Sequence, residues 1–156
     1  MDTNVGIVAN GRETNASPTC RQAAIDALAS ILRNGRIVVD AGGEIQREYR
    51  NYFNPSGQPG VGDRFYREVL INYRGKVERI DLEQRPDGSF VDFPDDPDLA
   101  AFDPADRKFA AVARKGRIPV LNATDTDWLN HHDALVRNGI SVEFVCGLDG
   151  TAWFEP

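Results

Sequence analysis

Four carboxylates have the type and spacing to do chemistry together: Glu48, Asp106, Asp125 and Asp127. Asp106 opens the run Asp106-Arg107-Lys108-Phe109-Ala110-Ala111-Val112-Ala113, and the other two aspartates close Val120-Leu121-Asn122-Ala123-Thr124-Asp125-Thr126-Asp127. A helix that begins on acids, followed by a short apolar strand ending on two more, would bring carboxylates from separate elements to one edge of a sheet. Hard divalent cations such as Mg²⁺ or Mn²⁺ bind at such an edge. In open α/β sheets, ligands sit outside the carboxyl ends of the strands.

The elements that must position these acids follow from local chemistry. Asp103 can accept from free first-turn amides, Pro104 suits the first helical position, and Asp106 lies at the positive end of the helix dipole. Phe109, Val112 and Ala113 form the buried stripe, Arg107, Lys108, Arg114 and Lys115 take the wet side and last turn, and Gly116 stops the helix. Ile118 to Leu121 is too short for a helix and reads as a strand buried on both faces.

Upstream, Val5-Gly6-Ile7-Val8-Ala9 reads as a short strand ended by Asn10-Gly11. Ser17-Pro18 caps a helix to about Asn34, and Ile37-Val38-Val39 is a second buried strand ending on Asp40. Gly42-Gly43 leads into a helix carrying Glu44, Glu48, Tyr49 and Tyr52, and the segment from Pro55 to Gly62 is a loop before a helix from Asp63 to about Tyr73. Val77 to Leu82 is a further strand candidate. A helix from Thr126 or Asp127 to about Asn138 and a strand from Ser141 to Cys146 close the chain. Short apolar strands alternating with helices imply a parallel sheet with right-handed crossovers.

The 156 residues, 41% hydrophobic, suffice for one domain spanning 1–156, with no linker or composition break. No apolar run approaches the ~20 residues of a membrane span, and the start Met1-Asp2-Thr3-Asn4 is not a secretory signal, so a cytoplasmic protein without a membrane partner is expected. Cys20 and Cys146 lie far apart without metal-ligand spacing and read as ordinary thiols rather than a disulfide. The net charge of −6 argues against a surface that traps polyanions everywhere, so nucleic-acid binding would be local and metal-bridged. Nine acids fall between Asp81 and Asp106, which leaves the basic residues to form local patches elsewhere.

These residues carry a family resemblance. The run from Asp106 to Ala113, the run from Val120 to Trp128, and Glu48 on the helix after the second strand resemble a PIN-like domain. The resemblance implies a three-layer α/β/α sandwich with a central, mainly parallel sheet. It also implies metal-dependent endonuclease activity, of the ribonuclease kind, on RNA or single-stranded nucleic acid. It further suggests a toxin or defence setting, with an antitoxin or other protein partner. Asp106 and Asp125 would be direct ligands of Mg²⁺ or Mn²⁺, with Glu48 and Asp127 completing the set or positioning the nucleophile. The family ends its first strand on Asp, where this chain reads Val8-Ala9-Asn10. Asn10 would then be a weak ligand and Asp40 could compensate. Arg12, Arg47 and Arg50 are the candidate phosphate contacts.

Plainer roles compete for several of these residues. Asp103 and Asp127 are natural helix caps, Glu48 fits a wet helical face between Arg47 and Arg50, and Asp40 a simple strand end. The glycine-rich loop lacks the Lys-Ser/Thr of a phosphate cradle, and consecutive His131 and His132 diverge by ~100° on a helix and cannot share a metal. Two other functions stay open: a PIN-like interaction scaffold without catalysis, favoured by Asn10, and a flavodoxin-like phosphate or nucleotide binder.

Overall fold

The first apolar run is a helix. In the computed structural model, which describes residues 1–155, α1 spans Thr3–Ala9, and Asp2 caps it by accepting from the Asn4 amide at 2.9 Å. The expected strand Val5–Ala9 is therefore overturned. A five-residue apolar run carries no period that separates a strand from a helix buried on several sides. This helix is wedged against α2 (Pro18–Asn34) and α4 (Val61–Ile71), burying Val5, Gly6, Val8 and Ala9.

The remaining order is β1 (Ile37–Asp40), α3 (Glu44–Tyr52), α4, β2 (Val77–Ile80), α5 (Arg107–Gly116), β3 (Val120–Asn122), α6 (Thr126–Asn130), α7 (His132–Arg137) and β4 (Val142–Phe144). β1 and β2 pair in parallel, Ile37 opposite Val77 and Asp40 opposite Ile80. β3 and β4 pair in parallel, Val120 opposite Val142 and Asn122 opposite Phe144. The protein is thus mixed α/β, with its short parallel strands in two two-stranded sheets. α5 packs against β1, β2 and β3, and so spans both pairs. Its stripe Phe109, Val112 and Ala113 is buried as the sequence predicts, and Lys108, Ala110 and Ala111 are buried with it, so Lys108 leaves the wet side expected for it.

Several boundaries moved for local reasons. Asp103 spends its carboxylate on the Ala105 amide at 2.8 Å, closing a turn, so the helix begins at Arg107 rather than at Pro104. The last helix breaks at His131, whose ring lies 2.9 Å from the Asp127 carbonyl oxygen, giving α6 and α7. In the acid-rich stretch, Asp87 and Asp96 accept from the amides two residues on, at Ser89 and Asp98. Asp96 and Asp98 also pair with Arg137. Much of this charge therefore organises turns.

Cys20 and Cys146 form a disulfide across a sequence separation of 126, which corrects their reading as separate thiols. Their spacing gives no hint of proximity. α2 and the segment after β4 meet only in the folded chain, where the Ser17 amide also donates to Trp153. Trp128 and Trp153 are fully buried, and Tyr49 is ringed by Phe53, Phe65, Tyr66 and Phe109. No helix among the described residues is long and apolar enough to cross a membrane.

Candidate metal centre

Three carboxylates converge: one oxygen from each of Asp2, Asp106 and Asp125 lies within 4.8 Å of the other two. All three occupy the same kind of position, the residue immediately before the first turn of a helix, in α1, α5 and α6. The amide of Asp2 donates to the Leu121 carbonyl at 2.9 Å, which fixes the entry to α1 alongside β3. Asn4 reinforces that seam, donating to Asn122 Oδ1 at 2.8 Å and accepting from the Ala123 amide at 2.7 Å. Asn122, fully buried, donates to the Asp125 carbonyl at 2.9 Å and so orients the turn that presents Asp125.

The three side chains are held differently. Asp2 accepts from Asn4 and, at 2.6 Å, from the buried Trp128 indole. Asp125 accepts from the Asp127 amide at 2.8 Å. Asp106 is 8% exposed, yet its carboxylate makes no hydrogen bond within the described residues and does not cap its own helix. Burying a carboxylate without partners disfavours its charge. Burial is the main cause that pushes Asp106 up to about 9, with Asp2, Asp125, Asp103 and Glu48 adding like charge. Burial likewise raises Asp2 to about 6 against the lowering effect of its two hydrogen bonds. Asp125 is raised by burial, opposed by the Asp127 amide and reinforced by the charges of Asp127 and Asp103. A cation would relieve all three. The donor set, carboxylate oxygens only, suits a hard ion such as Mg²⁺ or Mn²⁺.

Of the residues singled out in the sequence, Asp106 and Asp125 are brought together. Glu48 stands beside them, accepting from Thr3 Oγ1 and paired with Lys108 Nζ at 2.5 Å. Asp127 is turned to the Asp103 amide at 2.8 Å and to His131 at 3.1 Å. Asp40, 2% exposed, caps α3 through the Glu44 and Ile45 amides at 2.7 and 2.9 Å. Asn10 lies at the far end of α1, about 12 Å along the helix axis from Asp2, where its Oδ1 accepts from the Gly62 amide at 2.9 Å. Arg12 reaches the Tyr52 carbonyl and, at 3.5 Å, Asp63. Arg47 pairs with Glu44, and Arg50 makes no hydrogen bond within the described residues.

Asp2 was not among the sequence candidates. Its signal was present in Asp2-Thr3-Asn4 followed by an apolar run, an N-cap signature; reading that run as a strand concealed it. Comparison with protein-family models, with curated proteins and with solved structures finds no match to this chain.

Proposed function

We propose that this chain is a PIN-like, metal-dependent endonuclease that hydrolyses phosphodiesters in RNA or single-stranded nucleic acid. The observation that carries the proposal is the three-carboxylate cluster, with an Asp106 carboxylate, 8% exposed, that accepts no hydrogen bond among the described residues. In this reading α5 lies between the two parallel pairs of one α/β/α sandwich. Asp2 takes the place of the first acid sought at Asn10, so the argument for an inactive scaffold drawn from Asn10 lapses.

Asp106 is the direct ligand with both oxygens uncommitted. Asp2 and Asp125 each commit oxygen to a fixed donor, which sets the direction of what remains. Glu48, tethered by Thr3 and Lys108, flanks the cluster and positions the attacking water. A bound Mg²⁺ or Mn²⁺ supplies Lewis-acid polarisation of the scissile phosphate and makes water acidic enough to attack near neutral pH. The toxin or defence setting, with a protein antitoxin, belongs to the same reading. The Cys20–Cys146 bond bears on location, because disulfides persist in oxidising surroundings. It weighs towards such a compartment rather than the cytoplasm.

The test is cleavage of single-stranded RNA with and without Mn²⁺. The wild-type chain cleaves only with the ion, and Asp2→Asn, Asp106→Asn and Asp125→Asn each reduce cleavage to background. Undiminished cleavage by the Asp106→Asn, Asp125→Asn double variant would remove the proposal.

A further inference from the structure

A second cavity lies on the opposite flank of α3. At 100° per residue, Glu48 falls on one side of the buried stripe Ile45 and Tyr49, while Gln46 and Arg50 fall on the other. There, just past the carboxyl end of β1, a cavity of about 330 Å³ is lined by Gly43, Gln46, Arg47, Arg50, Tyr66 and Arg79. Outside the carboxyl ends of parallel strands is where α/β folds hold ligands.

Two features show that the cavity is built rather than incidental. Tyr66 is only 2% exposed, its ring packed against Tyr49 and Phe53 at centroid distances of 6.3 and 6.4 Å, yet its hydroxyl has no hydrogen-bond partner within the described residues. The hydroxyl is not enclosed by protein but opens on the cavity, where water or a ligand can accept from it. Positive charge surrounds it. Arg79 Nη2 donates to the Val69 carbonyl at 2.9 Å, which holds its guanidinium, and Arg50 makes no hydrogen bond or ion pair among the described residues. Arg47 borders the cavity with its charge shared by Glu44. Asp40, at the end of β1, has both oxygens committed to the α3 amides. Burial raises the Tyr66 hydroxyl pKa and the Arg50 charge opposes that rise, consistent with a neutral phenol donor near the arginine.

We propose that this cavity binds a phosphate group, with Arg50 and Arg79 as its charged donors and the Tyr66 hydroxyl as a third donor. Two guanidinium forks and one hydroxyl, reaching inward from α3, β2 and α4, match a tetrahedral oxyanion better than a flat carboxylate. The site is independent of the acidic cluster and needs no metal.

The experiment is done in EDTA with two probes: inorganic phosphate, read by the thermal midpoint, and a short labelled oligouridylate, read by anisotropy. The wild-type chain binds at least one probe saturably. Arg50→Gln with Arg79→Gln weakens that binding roughly tenfold or more. Tyr66→Phe, which keeps the packed ring, weakens it about fivefold. Arg33→Gln, which removes a single exposed charge from α2, leaves it unchanged. Binding of both probes identifies a site for free phosphate, and binding of the oligonucleotide alone identifies a site for an internucleotide phosphate. Saturable binding of neither probe overturns the proposal, as does equal weakening by Arg33→Gln or affinity indifferent to Tyr66→Phe.

Discussion

Asp2, Asp106 and Asp125 meet because each stands at the mouth of a helix whose first turn comes from a different part of the fold. Asp106 and Asp125 could be read in the sequence, since an acid at a helix start and an acid after a buried strand are both local patterns. Asp2 is masked by the short apolar run that follows it, which carries no period to mark it as a helix. The charge of the cluster has a measurable consequence without metal. Asp106 rests at about 9 and Asp2 at about 6 in the folded chain, against 3.8 when unfolded. Between those values the folded state binds more protons than the unfolded state, so stability falls as pH rises. In EDTA the melting temperature should therefore decline from about pH 4 to about pH 9, with Asp2 contributing up to about pH 6. Asp106→Asn removes the largest part of the effect. At pH 8 it should raise stability, read as a melting temperature several degrees higher. Below pH 4 the variant and the wild type should melt alike. A variant less stable than wild type at pH 8 would show that the Asp106 charge is satisfied by the protein itself.

Among the elements, α2, β1, α3 and the apolar stripe of α5 follow directly from period and capping signals, and the structure keeps them within a few residues. α1 did not follow, because its identity is set by what surrounds it. Gly6 is the reason it fits: a Cβ there would stand 2.4 Å from the Phe53 ring, and one at Gly62 would stand 2.7 Å from the Gly6 carbonyl oxygen. Two glycines thus let α1 and α4 approach closely and hold the helix that carries Asp2. Gly6→Ala should cost about 1–3 kcal/mol by overpacking. Chemical denaturation measures this, and since α1 carries Asp2, the same variant should weaken Mn²⁺ binding. An unchanged denaturation midpoint would mean that the Phe53 ring yields freely to the added methyl.

For the whole molecule, α/β character and parallel pairing were legible in the sequence, but the two separate pairs and the covalent tie from α2 to the segment after β4 were not. Strand order depends on contacts between distant segments, and a pair of cysteines 126 residues apart carries no local mark of proximity. The tie should matter. Closing a loop of more than a hundred residues restricts the unfolded chain by about 5 kcal/mol in the loop-entropy account. Thiol titration of the unfolded, unreduced protein should find no free thiol, and Cys20→Ser with Cys146→Ser should lower the melting temperature by several degrees; two titratable thiols would show that the bond is absent. The most direct test of the central claim is calorimetric titration of the intact chain with Mn²⁺ near neutral pH. Saturable binding that releases protons, as Asp106 gives up its hydrogen, and that disappears in Asp106→Asn with Asp125→Asn, is the predicted result. No saturable heat in the wild-type chain, or the same heat in the double variant, would contradict it.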